Sequence, residues 1–307
     1  MTDIASGAWA ASLTPLNDDL SIDFGAFDAH IRWLLAQGAA GAAVLGTTGE
    51  ANSFSLTERL EMIDFLGKQG FPGERIMIGA GCCAAPDTIA LMRAGLAAGF
   101  SNVLVLPPFF YKGVSDEGIF RAFAQAIEAV KDARLRVLLY DFPALSGFAL
   151  SASLMDRLYK AFPGIVVGAK DSSGDLPAVA ATLDRIPGFA MYAGMEGLVL
   201  STLRKGGAGA ISAFGNVMID KLAAVCRHWR AAEAEALQAN VDDALKALGA
   251  VQLLAGMKLI AAQKEILADA TGHAGWRNVR PPLLALNANE AQSVLAAAKA
   301  AGLSLPA

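Results

Sequence analysis

The amino-acid sequence predicts an α/β fold: a (β/α)8 TIM barrel with a C-terminal helical region. Three observations lead to this prediction. Eight short apolar runs alternate with longer amphipathic segments, most of the short runs are apolar throughout, and no strand pattern returns after Ile211. Continuously apolar strands are typical of buried parallel sheets, and βα alternation is typical of parallel α/β folds. A doubly wound sheet is the competing arrangement, but eight regular units favour closure into a barrel.

The predicted strands and helices alternate along the chain. The strands are Ala8–Leu13, Gly41–Leu45, Arg75–Ile78, Asn102–Leu106, Arg136–Tyr140, Ile165–Lys170, Phe189–Ala193 and Ala208–Ile211. The helices between them are Asp23–Gln37, Thr57–Gln69, Pro86–Ala98, Ser115–Lys131, Ser151–Ala161, Leu176–Arg185 and Glu196–Lys205. Helix-end signals support these bounds: Ser55 and Glu58 form a capping-box pattern, Ser115 is a favoured N-cap, and Gly38 and Gly99 follow helix ends.

The last part of the chain reads as helical and is rich in Ala and Leu. We therefore divide the chain into a catalytic barrel, residues 1–224, and a C-terminal helical region, residues 225–307. No linker rich in Pro, Gly or Ser separates them, so we expect the second region to pack on the barrel or on a partner subunit. The predicted helices are Asn216–Arg230, Ala231–Gly249, Val251–Thr271 and Asn289–Ala301.

The composition raises the question of a membrane protein, because 54% of the 307 residues are hydrophobic and the mean hydropathy is +0.43. A spanning helix needs about 20 mainly apolar residues in a row. The longest charge-free stretch, Ala94–Tyr111, contains two glycines and two prolines that divide it into a helix end, a strand and a loop. No basic segment followed by an apolar core begins the chain, so we expect no secretion signal. The apolar excess is then expected to fill a large core.

The charge and the cysteine content bear on nucleic-acid binding, cellular location and metal binding. The net charge is −4, and no basic patch of the kind that binds nucleic acid is present. The three cysteines are Cys82, Cys83 and Cys226, and this odd count favours a reduced, cytoplasmic location. There is no C-x-x-C pair and the three histidines lie far apart in the sequence, so we expect no metal site.

The candidate catalytic residues lie where predicted strands end, because barrel enzymes place their chemistry there. Lys170 ends an apolar run and is predicted to be buried. A buried amine is costly unless it is paired or neutral, and a neutral amine is the form that makes a Schiff base. Tyr140 ends the preceding strand, so its phenol should lie beside Lys170, where it can transfer a proton. Thr47 and Thr48 follow the second strand after Gly46, and together they predict a cradle for a small carboxylate.

Five motifs in order identify a family resemblance. They are Gly46-Thr47-Thr48-Gly49-Glu50, Tyr140-Asp141-Phe142-Pro143-Ala144-Leu145-Ser146-Gly147, Gly168-Ala169-Lys170-Asp171-Ser172-Ser173-Gly174, Gly209-Ala210-Ile211-Ser212 and Val279-Arg280-Pro281-Pro282-Leu283. With them, the sequence resembles the dihydrodipicolinate synthase / N-acetylneuraminate lyase family of pyruvate-dependent class I aldolases. The resemblance implies a barrel with C-terminal helices, a homotetramer built from two tight dimers, and no metal or organic cofactor.

The resemblance also implies roles for individual residues. Lys170 matches the lysine that forms a Schiff base with pyruvate or another 2-oxo acid, and Tyr140 matches the tyrosine of the proton relay. Thr47 and Thr48 match the pair at the pyruvate carboxylate, with Thr48 linked to the relay. Ile211 matches the residue whose backbone carbonyl lies near the imine.

Two departures from the family pattern concern the substrate. Dihydrodipicolinate synthases carry an arginine for the aldehyde's carboxylate at the position of Leu145, and an aliphatic side chain cannot make that charge-assisted bond. Sialic acid lyases carry an Asp-Glu pair after the glycine that matches Gly194, whereas this chain has Met195 and Glu196. Gly194 and Ser172, which follow strands seven and six, complete the predicted substrate-binding set together with Gly46.

A third departure concerns the loop after strand four. Many members have a tyrosine there that reaches the relay of a neighbouring subunit. Phe109 and Phe110 occupy the usual aromatic positions here, and Tyr111 is the residue that keeps a hydroxyl. Either Tyr111 serves across the dimer or the relay lacks its third member, and of the two we predict that Tyr111 serves.

The predicted function is a class I, Schiff-base-forming aldolase or lyase. It would condense pyruvate with an aldehyde or cleave a 2-oxo acid by retro-aldol reaction, and the departures favour a sugar acid or a hydroxy-oxo acid over aspartate semialdehyde. A dehydratase that acts on a 2-keto-3-deoxy sugar acid through the same imine is the alternative. A non-catalytic protein that binds 2-oxo acids is a third hypothesis, which the intact lysine, tyrosine and threonine set disfavours.

Overall fold

The computed structural model describes residues 4–249 and 257–306. Eight parallel strands form a closed barrel, in which each strand pairs with the next and β8 pairs with β1. The predicted (β/α)8 architecture is confirmed, and each strand end lies within two residues of its predicted position. The strands are β1 (Gly7–Ala11), β2 (Gly41–Val44), β3 (Ile76–Gly79), β4 (Asn102–Val105), β5 (Arg136–Asp141), β6 (Val166–Asp171), β7 (Ala190–Ala193) and β8 (Gly209–Ser212).

Helices connect the strands on the outside of the barrel and continue after β8. They are α1 (Phe24–Ala36), α2 (Leu56–Lys68), α3 (Ala85–Ala97), α4 (Asp116–Val130), α5 (Pro143–Ser146), α6 (Ala152–Ala161), α7 (Leu176–Arg185), α8 (Val199–Arg204), α9 (Gly215–His228), α10 (Ala234–Gly249), α11 (Lys258–Thr271) and α12 (Ala288–Ala300).

The helices follow the predicted order, with two differences. The short helix α5 is not among the predicted elements, because four residues are too few to show a helical period. The predicted helix Val251–Thr271 corresponds to α11 from Lys258 onward, and residues 251–256 lie outside the described residues. The capping box of α2 is present: Ser55 Oγ accepts a bond from the Glu58 N–H, and the Glu58 carboxylate accepts one from the Ser55 N–H.

Three clusters of buried apolar side chains hold the strands in place, and one of them packs β5 and β6 against α4 and α6 outside the barrel. Inside the barrel, Trp9, Leu138, Tyr192 and Ile211 belong to a second buried cluster. Outside it, Ala8 and Ala10 of β1 share the third buried cluster with α9 and with residues of α10, α11 and α12. The C-terminal helices thus pack on the barrel, and the residue 224 boundary falls within α9.

The apolar residues do not form a membrane span in the described ranges. No helix there combines the length and the hydropathy needed to cross a bilayer.

Candidate active site

Lys170 and Tyr140 are brought together by strand register. Tyr140 of β5 pairs with Lys170 of β6, which pairs in turn with Tyr192 of β7. Lys170 Nζ donates to the Tyr140 hydroxyl at 3.2 Å and lies 4.3 Å from the centre of that ring. Lys170 is 5% exposed, and within the described residues no carboxylate forms an ion pair with it. The amine is therefore buried and held directly over a phenol.

The residues that follow them in each strand point to the opposite face and hold the adjoining loops. Asp141 and Asp171 are neighbours in register. The Leu150 N–H donates to Asp141 Oδ1 at 3.0 Å, and the Ser173 N–H and hydroxyl donate to Asp171 Oδ1 at 3.2 and 2.9 Å. Burial raises the pKa of Asp141 to about 6. The hydrogen bond from the Leu150 N–H opposes this shift, and the nearby Asp171 carboxylate adds to it. Burial also raises the pKa of Asp171.

A cavity of about 230 Å³ opens at this end of the barrel, in front of Lys170. The structure brings six of the predicted site residues together in its wall. These six are Thr47, Thr48, Tyr140, Lys170, Ser172 and Gly194. Gly194 allows a close approach, because a Cβ atom there would lie 2.1 Å from Ser172 Oγ.

Four other predicted residues lie outside the described wall of this cavity. Gly46 lines a smaller neighbouring cavity together with Thr47 and Tyr140. Ile211 is completely buried in the barrel interior, and Leu145 is partly buried on α5. Tyr111 is 75% exposed, and its ring packs edge-to-face on Phe110 at 5.3 Å. In a single chain, therefore, Tyr111 faces solvent.

Sequence reasoning did not assign the apolar part of the wall to the site. It consists of Phe142, Met195, Phe214, Met257, Leu259 and Ile260, together with the small residue Ala213. Phe142, Met195 and Phe214 follow β5, β7 and β8, so the strand-end rule could have found them. Met257, Leu259 and Ile260 come from the start of α11, and no sequence signal places that helix at the barrel mouth.

Glu196 also lines the cavity and was not a predicted site residue. Its carboxylate is buried, and Oε1 accepts the Ser212 hydroxyl at 2.5 Å and the Phe214 N–H at 3.4 Å. Gln238 of α10 donates to the Glu196 carbonyl at 3.1 Å and to Asp242 at 2.9 Å, so the C-terminal helices help to fix this segment.

The loop after β2, which carries Thr47 and Thr48, is bounded by two residues in the left-handed region. Leu45 has a φ of 56° and Glu50 a φ of 58°, a conformation that costs energy for residues other than glycine. Surrounding structure must hold such a loop. The Thr14 hydroxyl contributes by donating to the Gly49 carbonyl at 2.9 Å.

Glu50 is also held by residues from the C-terminal region. The ammonium group of Lys264, on α11, pairs with Glu50 Oε1, and neither side chain has any exposed surface. Lys264 Nζ also donates to the Asn278 carbonyl at 2.7 Å, and the Arg280 N–H donates to Glu50 Oε2 at 2.9 Å. Burial lowers the pKa of Lys264, and the Glu50 carboxylate opposes that shift.

No cluster of three or more His, Cys, Asp or Glu side chains that could hold a metal ion occurs in the described parts of the chain. Among the described residues that line the cavity, the polar side chains supply hydroxyls, one amine and one carboxylate. Such a set can bind a small anion through hydroxyls, attack a carbonyl with the amine and move a proton through the phenol.

The chain is similar to known proteins over most of its length. The model of the dihydrodipicolinate synthetase family matches residues 5–301. A protein of Chloroflexus aurantiacus named "uncharacterized DapA-like lyase" is 35% identical over 215 residues, which cover 68% of this chain and 70% of the relative.

Solved structures extend the likeness over nearly the whole chain. The dihydrodipicolinate synthase of Agrobacterium tumefaciens str. C58 is 31% identical with a TM-score of 0.85, over 96% of this chain and 98% of that one. The chloride-inhibited dihydrodipicolinate synthase of Acinetobacter baumannii, in a complex with pyruvate, is 26% identical with a TM-score of 0.83, over 97% and 99% of the two chains.

Proposed function

The chain belongs to the dihydrodipicolinate synthetase family and is a carbon–carbon lyase of the class I aldolase type, and from this premise we propose that it acts on pyruvate through an imine on Lys170. The observation that carries the proposal is the buried Lys170 amine 3.2 Å from the Tyr140 hydroxyl, at the wall of a cavity. The related Acinetobacter baumannii synthase, whose structure contains pyruvate, supports pyruvate as the 2-oxo acid.

The reaction would proceed in three steps. Lys170 Nζ attacks the ketone carbon of pyruvate, and the Tyr140 hydroxyl gives its proton to the carbinolamine hydroxyl, which leaves as water and yields a protonated imine. The methyl group then loses a proton to the Tyr140 phenolate, which leaves a neutral enamine and restores the phenol. The enamine carbon bonds to the aldehyde carbon, the Tyr140 proton passes to the aldehyde oxygen, and water hydrolyses the imine to release a 4-hydroxy-2-oxo acid. Cleavage follows the same steps in reverse.

The remaining polar residues would bind pyruvate. The hydroxyls and backbone N–H groups of Thr47 and Thr48 would hold its carboxylate, with Gly46 leaving room beside them. Open space around Gly46, where an added Cβ meets no atom within 4 Å, supports that assignment. The backbone carbonyl of Ile211 would lie near the imine, while Ser172 and Gly194 would shape the wall facing the aldehyde.

Trapping with borohydride tests the proposal. Incubation with pyruvate and borohydride should reduce the imine and add a pyruvyl-derived mass to a peptide containing Lys170. Lys170→Met should take up no label, and Lys160→Met, on the surface of α6, should be labelled at Lys170 like the parent. An unlabelled Lys170 at saturating pyruvate would refute the proposed mechanism.

The second substrate is proposed from the wall of the cavity. Leu145 supplies no cation for the carboxylate of aspartate semialdehyde, and polyhydroxylated sugar acids would find few polar partners on an apolar wall. We therefore favour hydroxy-oxo acids. Product analysis separates lyase from dehydratase action, because aldol cleavage releases pyruvate whereas dehydration keeps the carbon chain intact.

Tyr111 would complete the proton relay of a neighbouring subunit in a homotetramer. Lys112 supports the loop that carries it, because Lys112 Nζ donates to the carbonyls of Phe109 at 2.6 Å and Ser146 at 3.1 Å. Tyr111→Phe should lower pyruvate-dependent turnover while leaving the oligomeric mass in sedimentation unchanged. Unchanged turnover would refute the role of Tyr111. The free thiols of Cys82, Cys83 and Cys226 fit the cytoplasm as the proposed location.

A further inference from the structure

The wall of the cavity divides by chemistry. The described lining residues from β5, β6 and the loop after β2 include Thr47, Thr48, Tyr140 and Lys170, which the proposed function assigns to pyruvate. The rest of the wall follows β5, β7 and β8 and reaches the start of α11. Its side chains are mainly apolar: Phe142, Met195, Phe214, Met257, Leu259 and Ile260.

Two of these apolar side chains remain exposed at the cavity. Met195 is 47% exposed and Met257 is 37% exposed, although most large apolar side chains of the chain are buried. Methionine is unbranched and polarisable, and it adapts to apolar or aromatic surfaces. A molecule condensed with pyruvate in this cavity would lie against these side chains, and an apolar group there would be removed from water.

The charges of the lining residues also disfavour an aldehyde that carries a carboxylate. Among the described lining residues, Lys170 is the one cation and Glu196 the one anion. The enamine that meets the aldehyde has an uncharged Lys170 nitrogen, so a carboxylate on the aldehyde would approach Glu196 without a counter-charge among the described lining residues. Like charges in a poorly hydrated site are strongly disfavoured.

Glu196 can still accept one hydrogen bond. Ser212 and Phe214 both donate to its Oε1, and no described residue donates to Oε2. Glu196 lines the cavity, and a carboxylate oxygen there binds a hydroxyl more readily than another acceptor. Among the described residues, this part of the wall therefore offers a wide apolar surface and few polar groups, the Glu196 carboxylate and the Ser172 hydroxyl.

From these features, which rest on the proposed function, we infer that the second substrate is an uncharged aldehyde with an aryl or branched-alkyl body. The corresponding cleavage substrate is a 4-hydroxy-2-oxo acid that carries this apolar group on C4, and Glu196 accepts a hydroxyl of the substrate. Glu196 and the apolar wall together exclude aldehydes that carry a carboxylate.

Matched aldehydes test the inference. With pyruvate in excess, benzaldehyde should be used with a kcat/KM about 100-fold above that of 4-carboxybenzaldehyde, and butanal should exceed succinic semialdehyde in the same way. The kcat/KM for propanal should be higher than that for glyceraldehyde, because the apolar wall gives the additional hydroxyls of glyceraldehyde few partners. Equal use within the pairs, or a preference for the charged members, would overturn the inference.

A variant pair tests the part played by Glu196. Glu196→Gln keeps an oxygen that accepts from Ser212 but removes the charge, so it should raise the use of 4-carboxybenzaldehyde relative to benzaldehyde about tenfold or more. Glu235→Gln, at an exposed position of α10, should leave the ratio unchanged. An unchanged ratio in Glu196→Gln would contradict the assignment.

Borohydride trapping distinguishes a failure of the apolar second substrate from a failure of the proposed imine on Lys170. Trapping of pyruvate on Lys170 without use of any apolar aldehyde would overturn the inference and leave the proposed mechanism intact. Failure of trapping would overturn both.

Discussion

The two sides of the barrel mouth position their polar groups in different ways. On the β5–β6 side, Tyr140 and Lys170 lie on the strands themselves, and strand register sets the contact between them. On the β2 side, Thr47 and Thr48 lie on a loop bounded by Leu45 and Glu50 in left-handed conformations. That loop is held in part by a buried ion pair with Lys264, 214 positions away in the sequence.

The difference shows how the proposed reaction divides its demands on the fold. The groups that would form bonds and move protons are fixed by the most regular part of the structure. The groups that would bind the carboxylate depend on the packing of the C-terminal helices. Loss of a single atom on the β5–β6 side should therefore lower turnover strongly. On the β2 side, changes far from the cavity should weaken pyruvate binding.

Loss of the Tyr140 hydroxyl is the sharpest way to test the β5–β6 side. Tyr140→Phe should lower kcat about 100- to 10,000-fold, because proton transfer by a positioned group contributes on that scale. Pyruvate should still label Lys170 in the presence of borohydride, although more slowly. The measurement is pyruvate-dependent turnover at saturating substrate.

Tyr192→Phe is the matched control for this change. Tyr192 neighbours Lys170 on the other side, but its hydroxyl donates to the Ala5 carbonyl at 3.1 Å instead of to the amine. Its loss should cost about 1 kcal/mol of stability and leave kcat close to that of the parent. Equal effects of the two substitutions would show that strand register alone does not define the proposed catalytic pair.

The same contrast explains what could be predicted from the sequence. Local patterns were sufficient for the eight strands, and Lys170 and Tyr140 followed because each ends a predicted strand. The supports of the β2 loop could not be predicted, because Lys264 appears in the sequence as one cation on a helix. Its burial against Glu50 follows from three-dimensional packing of the C-terminal region. The apolar residues at the start of α11 were missed for the same reason.

Removal of Lys264 tests the β2 side. Lys264→Met should lower the free energy of unfolding by about 3–5 kcal/mol, because it leaves the Glu50 carboxylate buried without its ionic partner. At temperatures where the variant remains folded, the KM for pyruvate should rise more than kcat falls. Denaturant unfolding and steady-state kinetics measure the two effects.

Two further variants give this experiment its controls. Lys258→Met removes a lysine of the same helix whose partner Glu290 lies at the surface, and it should cost at most about 1 kcal/mol. The double variant Lys264→Met/Glu50→Gln should recover part of the lost stability, because the uncompensated charge is gone. If the KM for pyruvate does not change in Lys264→Met, the ion pair does not support pyruvate binding.

The outward face of β5 gives the smallest expected effect, which appears as a dependence of stability on pH. Burial raises the pKa of Asp141 to about 6, above the ordinary value of 3.8 for an aspartate carboxyl group. The folded state therefore binds more protons than the unfolded state between these values, so the contribution of Asp141 to stability decreases as pH rises from 4 to 7. Asp141→Asn keeps an oxygen for the Leu150 N–H and cannot ionise.

Thermal unfolding of Asp141→Asn and the parent should therefore diverge with pH. The variant should gain about 2 kcal/mol relative to the parent between pH 4 and pH 7, which corresponds to an increase of several degrees in relative Tm. Asp132→Asn is a control of opposite sign, because hydrogen bonds from Arg134 hold the pKa of Asp132 at about 2. That variant should lose stability relative to the parent as pH rises through the carboxyl range. A parallel response of the two variants would show that burial does not govern the Asp141 carboxyl.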